Sequence, residues 1–208
     1  MSSAASPVIL LCVLILAIGC SSPTAEQTTF FESGKVHEKY QILKINQDTV
    51  RHGNYLRYDE NGKVAEECTY VHGKINGVRK LYTDGLLVST ETRLNDQYHG
   101  PFIAYHPNGK VQLEANYTQD EMSGIVKVYY LSGVLKEIVN FDKNVESGPF
   151  KEFYENGNVK AEGEYKQQDG PVEHGELKLY DTSGVLIRIM QCDYGKCNTT
   201  WKKDTLTQ

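Results

Sequence analysis

Six histidines, five cysteines and the acidic side chains are the residues of this 208-residue chain whose types could do chemistry. Their spacing decides how much of it they do. His52, His99 and His174 each stand immediately before a recurring glycine, where other copies of the same segment carry Asn76, Ser123 and Ser147. A histidine that alternates with Asn and Ser at an equivalent position reads as a turn residue. A row of such histidines along one edge of a stack is the only arrangement in which they would gather around a metal. Glu66 with Glu67, and Glu162 with Glu164, have the proximity of a general acid/base pair. Their positions also fit the solvent-facing phase of a strand, and that reading is preferred. No Gly-x-Ser-x-Gly, His-Glu-x-x-His, phosphate-binding loop or Cys/His nucleophile arrangement occurs. The sequence therefore assigns no catalytic residue, no metal and no cofactor, and the expectation is a protein that is not an enzyme.

The cysteines point elsewhere. Val8 to Ile18 is an almost unbroken apolar run, too short to span a membrane as a helix, which needs about 20 residues. It has the length of a signal-peptide apolar region. Its end, Leu16-Ala17-Ile18-Gly19-Cys20, resembles a bacterial lipobox, with Cys20 as the lipid-attachment residue and mature N-terminus. Ala17 stands where Leu is commoner, and no Lys or Arg precedes the run. The expected division is 1–19 signal peptide and 20–29 polar tether. An exported chain meets an oxidising compartment. Cys192 and Cys197 flank Asp-Tyr-Gly-Lys, a good turn sequence, so a local disulfide is expected there. Cys68 is left over at an apolar position and reads as a small buried hydrophobe. The net charge of −5, without basic clusters, argues against a nucleic-acid partner.

The elements that position these residues come from two interleaved glycine ladders. One is Gly53, Gly77, Gly100, Gly124, Gly148 and Gly175; the other is Gly62, Gly85, Gly109, Gly133, Gly157 and Gly184, with Gly34 as an earlier member. A fixed period of this length marks a repeat architecture. An aromatic lies five residues beyond each first-ladder glycine: Tyr58, Tyr82, Tyr105, Tyr129, Phe153 and Tyr180. Asn-Gly, Asp-Gly and Ser-Gly turns follow. A second strand then alternates, placing Val64, Cys68 and Tyr70, or Val111, Ala115 and Tyr117, on one face. The unit at Gly77 fits poorly, is one residue short, and carries Arg93 or Leu94 at the Tyr position. The fold expected is all-β: an elongated single-layer antiparallel meander of six to seven stacked hairpins of about 24 residues. It covers residues 30–192, with 193–208 as a C-terminal cap or tail. The irregular segment Lys39 to Arg51 and the disulfide-bearing tail are expected to protect the sheet edges.

The unit Gly-x4-Tyr-x3-Gly-Lys-Val resembles the MORN-repeat variant of bacterial proteins often labelled YwqK-type antitoxins. Tyr154 to Tyr165 is its clearest copy, followed by Tyr105 to Val111 and Tyr58 to Val64. The resemblance implies a β-meander with an interaction role. The antitoxin label transfers badly to an exported, lipid-anchored chain, which would not meet a cytosolic toxin. The expected function is a protein-interaction scaffold at the bacterial cell envelope. The membrane is reached through the Cys20 lipid, with the outer membrane or cell surface as the destination and an unknown protein as the partner. A carbohydrate- or wall-binding module using aromatic rows is the alternative, and an antitoxin-like binding protein is a third if the chain is not exported.

Overall fold

The computed structural model describes residues 24–204, so residues 1–19, Cys20 and residues 205–208 lie outside the described residues. The described chain forms one antiparallel sheet of 17 strands, and no helix occurs among the described residues. In order these are β1 (Thr24–Phe30), β2 (Val36–Ile45), β3 (Asp48–Tyr58), β4 (Val64–Val71), β5 (Lys74–Ile75) and β6 (Gly77–Thr83). There follow β7 (Leu86–Leu94), β8 (Gln97–Tyr105), β9 (Val111–Thr118), β10 (Glu121–Met122), β11 (Gly124–Tyr129) and β12 (Leu135–Asp142). The last five are β13 (Val145–Phe153), β14 (Val159–Gln167), β15 (Pro171–Tyr180), β16 (Leu186–Asp193) and β17 (Lys196–Lys202). Each strand pairs with its neighbours in sequence. The short β5 and β6 share one position beside β4, as β10 and β11 do beside β9. The chain is thus the expected single-layer meander of stacked hairpins.

Three boundaries differ from expectation. The polar segment assigned to the tether through residue 29 is an edge strand: Gln27, Thr28 and Thr29 pair with Tyr40, Lys39 and Glu38. Polarity does not distinguish a linker from a solvated edge strand, whereas its three threonines favour the pleated backbone. The segment Lys39 to Arg51 is not an irregular edge cover but the β2–β3 hairpin, reversing at Asn46 with φ of 57°. The C-terminal tail contributes one more strand, β17, with Cys192 and Cys197 directly opposite and joined by a disulfide.

The second-ladder glycines occupy the turns of one sheet edge. In residues 59–63, 106–110, 130–134, 154–158 and 181–185, the first residue's N–H bonds the fifth residue's carbonyl, and the glycine N–H returns to the first carbonyl. The unit at Gly77 reverses instead through Asp84-Gly85 alone, with Thr83 opposite Leu86, which accounts for its missing residue. On the opposite edge five connections are two-residue turns with both φ values positive, the geometry that matches strand twist. These are His72-Gly73, Asn95-Asp96, Gln119-Asp120, Lys143-Asn144 and Tyr194-Gly195.

Of the first-ladder glycines, Gly77 and Gly124 open β6 and β11, while Gly53, Gly100, Gly148 and Gly175 sit at kinks inside β3, β8, β13 and β15. Gly53 has φ of +100°, and a Cβ there would collide with Gln41 Oε1. Here His52, Gly53 and Asn54 together oppose Gln41, since Arg51 pairs with Ile42 and Tyr55 with Tyr40. Such a bulge needs a glycine for its backbone and strengthens the local twist. Opposite each of four first-ladder glycines lies an aromatic: Tyr70, Tyr117, Phe141 and Tyr165 face Gly53, Gly100, Gly124 and Gly148. These rings cover the strand where the glycine offers no side chain. The packed face is built around Ala115, Val126, Val139, Phe150 and Ala161, with Phe102, Tyr117, Phe141, Tyr165 and Leu177 against them.

Candidate interaction surface

The repeat places one directly opposed pair at the centre of every hairpin's packed face. The pairs are Tyr55/Cys68, Phe102/Ala115, Val126/Val139, Phe150/Gly163 and Leu177/Met190. In the remaining hairpin the pair is Arg79/Glu91. Burial of Glu91, only 3% exposed, would be costly without partners. It accepts from Arg93 Nη2 at 2.6 Å and Arg93 Nε at 2.9 Å, and more distantly from Arg79 Nη1 at 3.4 Å and Tyr98 Oη at 3.3 Å. Arg93 occupies the position of the covering aromatic, opposite Gly77, and lies 3.3 Å from the centroid of the Tyr98 ring. Arg79 Nε also donates to Glu66 at 2.7 Å, and Arg57 Nη2 donates to Glu66 at 3.1 Å. A chain of charges, Arg57, Glu66, Arg79, Glu91 and Arg93, therefore runs across four strands of the packed face. A second cluster adjoins it, where Arg51 lies 4.8 Å from both the Tyr40 and Tyr55 ring centroids and donates to Glu38 at 2.9 Å.

This corrects the reading of Glu66 as a solvated strand residue: it is 7% exposed and shares the face of Val64, Cys68 and Tyr70. It does not join Glu67 in an acid/base pair, because successive residues of a strand point to opposite faces. Glu162 and Glu164 do share a face, the open one. Glu162 accepts from Tyr180 Oη at 2.7 Å and from Lys151 at 2.8 Å, and these contacts hold its carboxyl below the ordinary range. Burial, reinforced by the Glu66 charge, pushes the Cys68 thiol up to about 12, so this buried cysteine is a poor nucleophile.

His52, His99 and His174 are strand residues beside the first-ladder glycines rather than turn residues. His52 packs on His72 with centroids 5.0 Å apart, and His174 on Tyr194 at 4.9 Å. Asn76, Ser123 and Ser147 intervene, so His52, His99 and His174 belong to β3, β8 and β15 and do not converge. Among the described residues, no group of three or more His, Cys, Asp or Glu is placed to hold a metal ion.

The open face is flatter and mixed in charge. One row of directly paired residues crosses the sheet, running Lys39, Leu56, Glu67, then Lys80, Thr90, Ile103, Glu114. It continues through Lys127, Ile138, Lys151, Glu162, Lys178, Ile189 and Trp201. Lys80 bridges to Glu67, Lys127 to Glu114 and Lys151 to Glu162. Tyr129 and Tyr180 turn their hydroxyls onto Glu114 and Glu162 in the same surface. Beside this row the residue after each first-ladder glycine is exposed: Asn54, Val78, Pro101, Ile125, Pro149 and Glu176. Val78 and Ile125 are 53% and 62% exposed, which makes the centre of the stripe apolar. The depression between Asn54, Leu56, Glu67, Thr69, Val78 and Lys80 has a volume of about 350 Å³.

Residues 51–72, 98–119, 122–143 and 146–167 match the MORN repeat variant. The chain is a MORN-repeat protein. No curated protein sequence matches it. Each matched MORN stretch starts two residues before a first-ladder glycine and ends on the first residue of a two-residue turn, or at the end of β14 in the last copy. The gap between the first two stretches, residues 73–97, is the hairpin that carries Arg79 and Glu91 and the shortened turn. That hairpin keeps the MORN fold while departing from the MORN sequence.

Sequence reading noted Arg93 (or Leu94) at the aromatic position of the unit at Gly77 but missed Arg57, Arg79 and Glu91. Their signal was present: in the repeat alignment, charged residues replace an apolar pair and an aromatic at positions that every other unit reserves for packing.

Proposed function

We propose that this protein is a non-enzymatic interaction scaffold, tethered by a lipid on Cys20 at the bacterial cell envelope, whose open sheet face binds a protein partner. The observation that carries the reading is the open face itself. Alternating Lys and Glu flank an exposed apolar stripe through Val78, Pro101, Ile125 and Pro149. Interfaces between proteins combine such apolar centres with charged rims that set register and specificity. A glycan reading draws on tyrosine rows, but Tyr129 and Tyr180 have their hydroxyls engaged by Glu114 and Glu162, and the face offers a mixed-charge plane. The acid/base reading loses support at its named candidates, since Glu66 is neutralised by Arg79 and Glu162 is held by Lys151 and Tyr180. Anchoring and location rest on the lipobox-like end at Cys20. The lipobox resemblance implies several acyl chains on Cys20, and two or more give stable attachment where one does not.

The test places a photo-crosslinking residue at Ile125 on the open face and another at Asn108 in the turn edge, in intact cells. A discrete protein adduct at Ile125 and none at Asn108 supports the scaffold; adducts absent from both positions refute it. Fractionation of wild type and Cys20→Ala, with mass spectrometry of the mature N-terminus, tests the anchor. A wild-type chain that is uncleaved and cytosolic overturns the envelope location.

A further inference from the structure

The two ends of the sheet are built differently. β17 has the features by which natural sheets discourage edge pairing: lysines at both ends, Lys196 and Lys202, and a register shift at Met190 that leaves Thr200 bulged with its hydroxyl on the Ile189 carbonyl. β1 carries no lysine, and the register shift of its ladder, between Thr29 and Phe30, leaves His37 of β2 unpaired rather than a residue of β1. Its sequence Thr-Ala-Glu-Gln-Thr-Thr-Phe contains no Lys, Arg or Pro, its residues Thr24 to Gln27 are exposed, and Phe30 is 61% exposed.

Strand direction then selects the partner. Because β5 with β6 and β10 with β11 each fill one position, β1 and β17 run in the same direction. A head-to-tail joint between copies would have to be parallel, in a sheet whose every ladder is antiparallel, or would exchange the packed and open faces across the joint. A two-fold axis normal to the sheet avoids both problems. It sets β1 antiparallel to β1 of a second copy with the faces continuous. Opposed residues must share a face, and the register that pairs all seven residues centres on Gln27. It places Thr24 opposite Phe30, Ala25 opposite Thr29, Glu26 opposite Thr28, and Gln27 opposite itself, where two side-chain amides can bond each other. No like charges meet. The same operation on β17 meets the bulge at Thr200, which puts Lys196 and Lys202 on opposite faces, so no register pairs the whole strand with itself.

We infer that the protein forms a closed two-fold dimer by antiparallel pairing of the β1 edge with that of a second copy, doubling the sheet while both β17 edges stay free. The joint uses the same surface on both copies, so it terminates after two and does not propagate into a fibre. The open faces of both copies remain available, and the inference does not depend on what they bind.

The experiment is sedimentation velocity on the purified full chain in mild detergent, for wild type, Gln27→Lys and Thr199→Lys, with far-UV circular dichroism confirming folding. Wild type and Thr199→Lys should sediment as dimers. Gln27→Lys opposes two ammonium groups on the axis and should sediment as a folded monomer. As an independent measurement, Gln27→Cys should give a disulfide-linked dimer on mild oxidation, because directly opposed Cα atoms lie about 4.5–5.5 Å apart. A monomeric wild type at tens of micromolar overturns the inference. So does a dimer that survives Gln27→Lys.

Discussion

Replacing Glu91 with Val tests whether the charge chain on the packed face is held by its pairing or only tolerated there. Glu91 is 3% exposed and neutralises Arg93, whose side chain is 12% exposed, with help from Arg79 at 24%. Removing one member of a buried ion pair costs about 3–5 kcal/mol, because the remaining charge stays desolvated. Arg79 keeps Glu66 at 2.7 Å, and Arg93 keeps the Asp96 carbonyl and the Tyr98 ring, so the lower end applies, about 3 kcal/mol. For a chain of this size that is a fall in Tm of roughly 6–12 °C. Arg79→Val added to Glu91→Val recreates the Val126/Val139 pair found at the same repeat position two units on. Apolar replacement of a buried pair is neutral or stabilising by about 1–4 kcal/mol. Here Glu66 retains Arg57, and the double variant should recover about 2 kcal/mol of the loss. Urea unfolding followed by circular dichroism on wild type, both singles and the double gives the coupling. Additive losses, with a coupling below about 0.5 kcal/mol, would refute the reasoning.

Asp120 has φ of 66° and accepts the Tyr98 N–H at 2.7 Å; Asp120→Ala should cost about 1–3 kcal/mol in urea unfolding, while Asp120→Asn, keeping the acceptor and tolerating the backbone, should change little. A Cβ on Gly163 would lie 3.0 Å from the Phe150 ring and 3.2 Å from Leu177, so Gly163→Ala should lose about 1–3 kcal/mol by overpacking, read from the same midpoints. Burial, with Glu146 and Glu152 adding to it, raises the Glu137 carboxyl above its ordinary range. The folded state therefore holds this proton longer than the unfolded one, and stability from the neutral form is present below about pH 4.3 and lost as pH rises past it. Glu137→Gln should raise Tm at pH 7, and the gain should shrink toward pH 4; a gain that is unchanged with pH counts against that account.

Much of the fold was legible because the repeat writes each rule six times. Asn61-Gly62, Asn108-Gly109 and Asn156-Gly157 announced their turns, and the run Val111, Leu113, Ala115, Tyr117 announced a packed face. The other edge was harder to see. Asn95-Asp96, Gln119-Asp120 and Lys143-Asn144 adopt left-handed backbone without glycine, sustained by hydrogen bonds to the preceding unit that a single sequence does not display. The first glycine ladder was visible, but its bulges at Gly53, Gly100, Gly148 and Gly175 were not, since a glycine required at a bulge looks the same in sequence as one opening a strand, as Gly77 and Gly124 do. Glu66 was misassigned because charge was taken as a sign of solvent exposure. Its even spacing from Val64 and Cys68 carried the correct face, and the arginines that satisfy it stand in neighbouring strands, beyond any local window.

The two-residue turns have a further consequence. Asp96 bonds back to Ile75, Asp120 to Tyr98 and Asn144 to Met122, each accepting at 2.7 Å, while Lys35, Lys63 and Lys110 reach forward to the carbonyls of Glu60, Asp84 and Ser132. Every one of these ties spans a single unit, and none closes the first hairpin onto the last. Length is therefore a free variable of this architecture. Gain or loss of one 24-residue unit moves everything beyond it by two strand spacings, about 10 Å, without altering any tie elsewhere. The molecule behaves as a ruler graduated in hairpins, and duplication of a unit is enough to reset the distance between whatever its two ends hold.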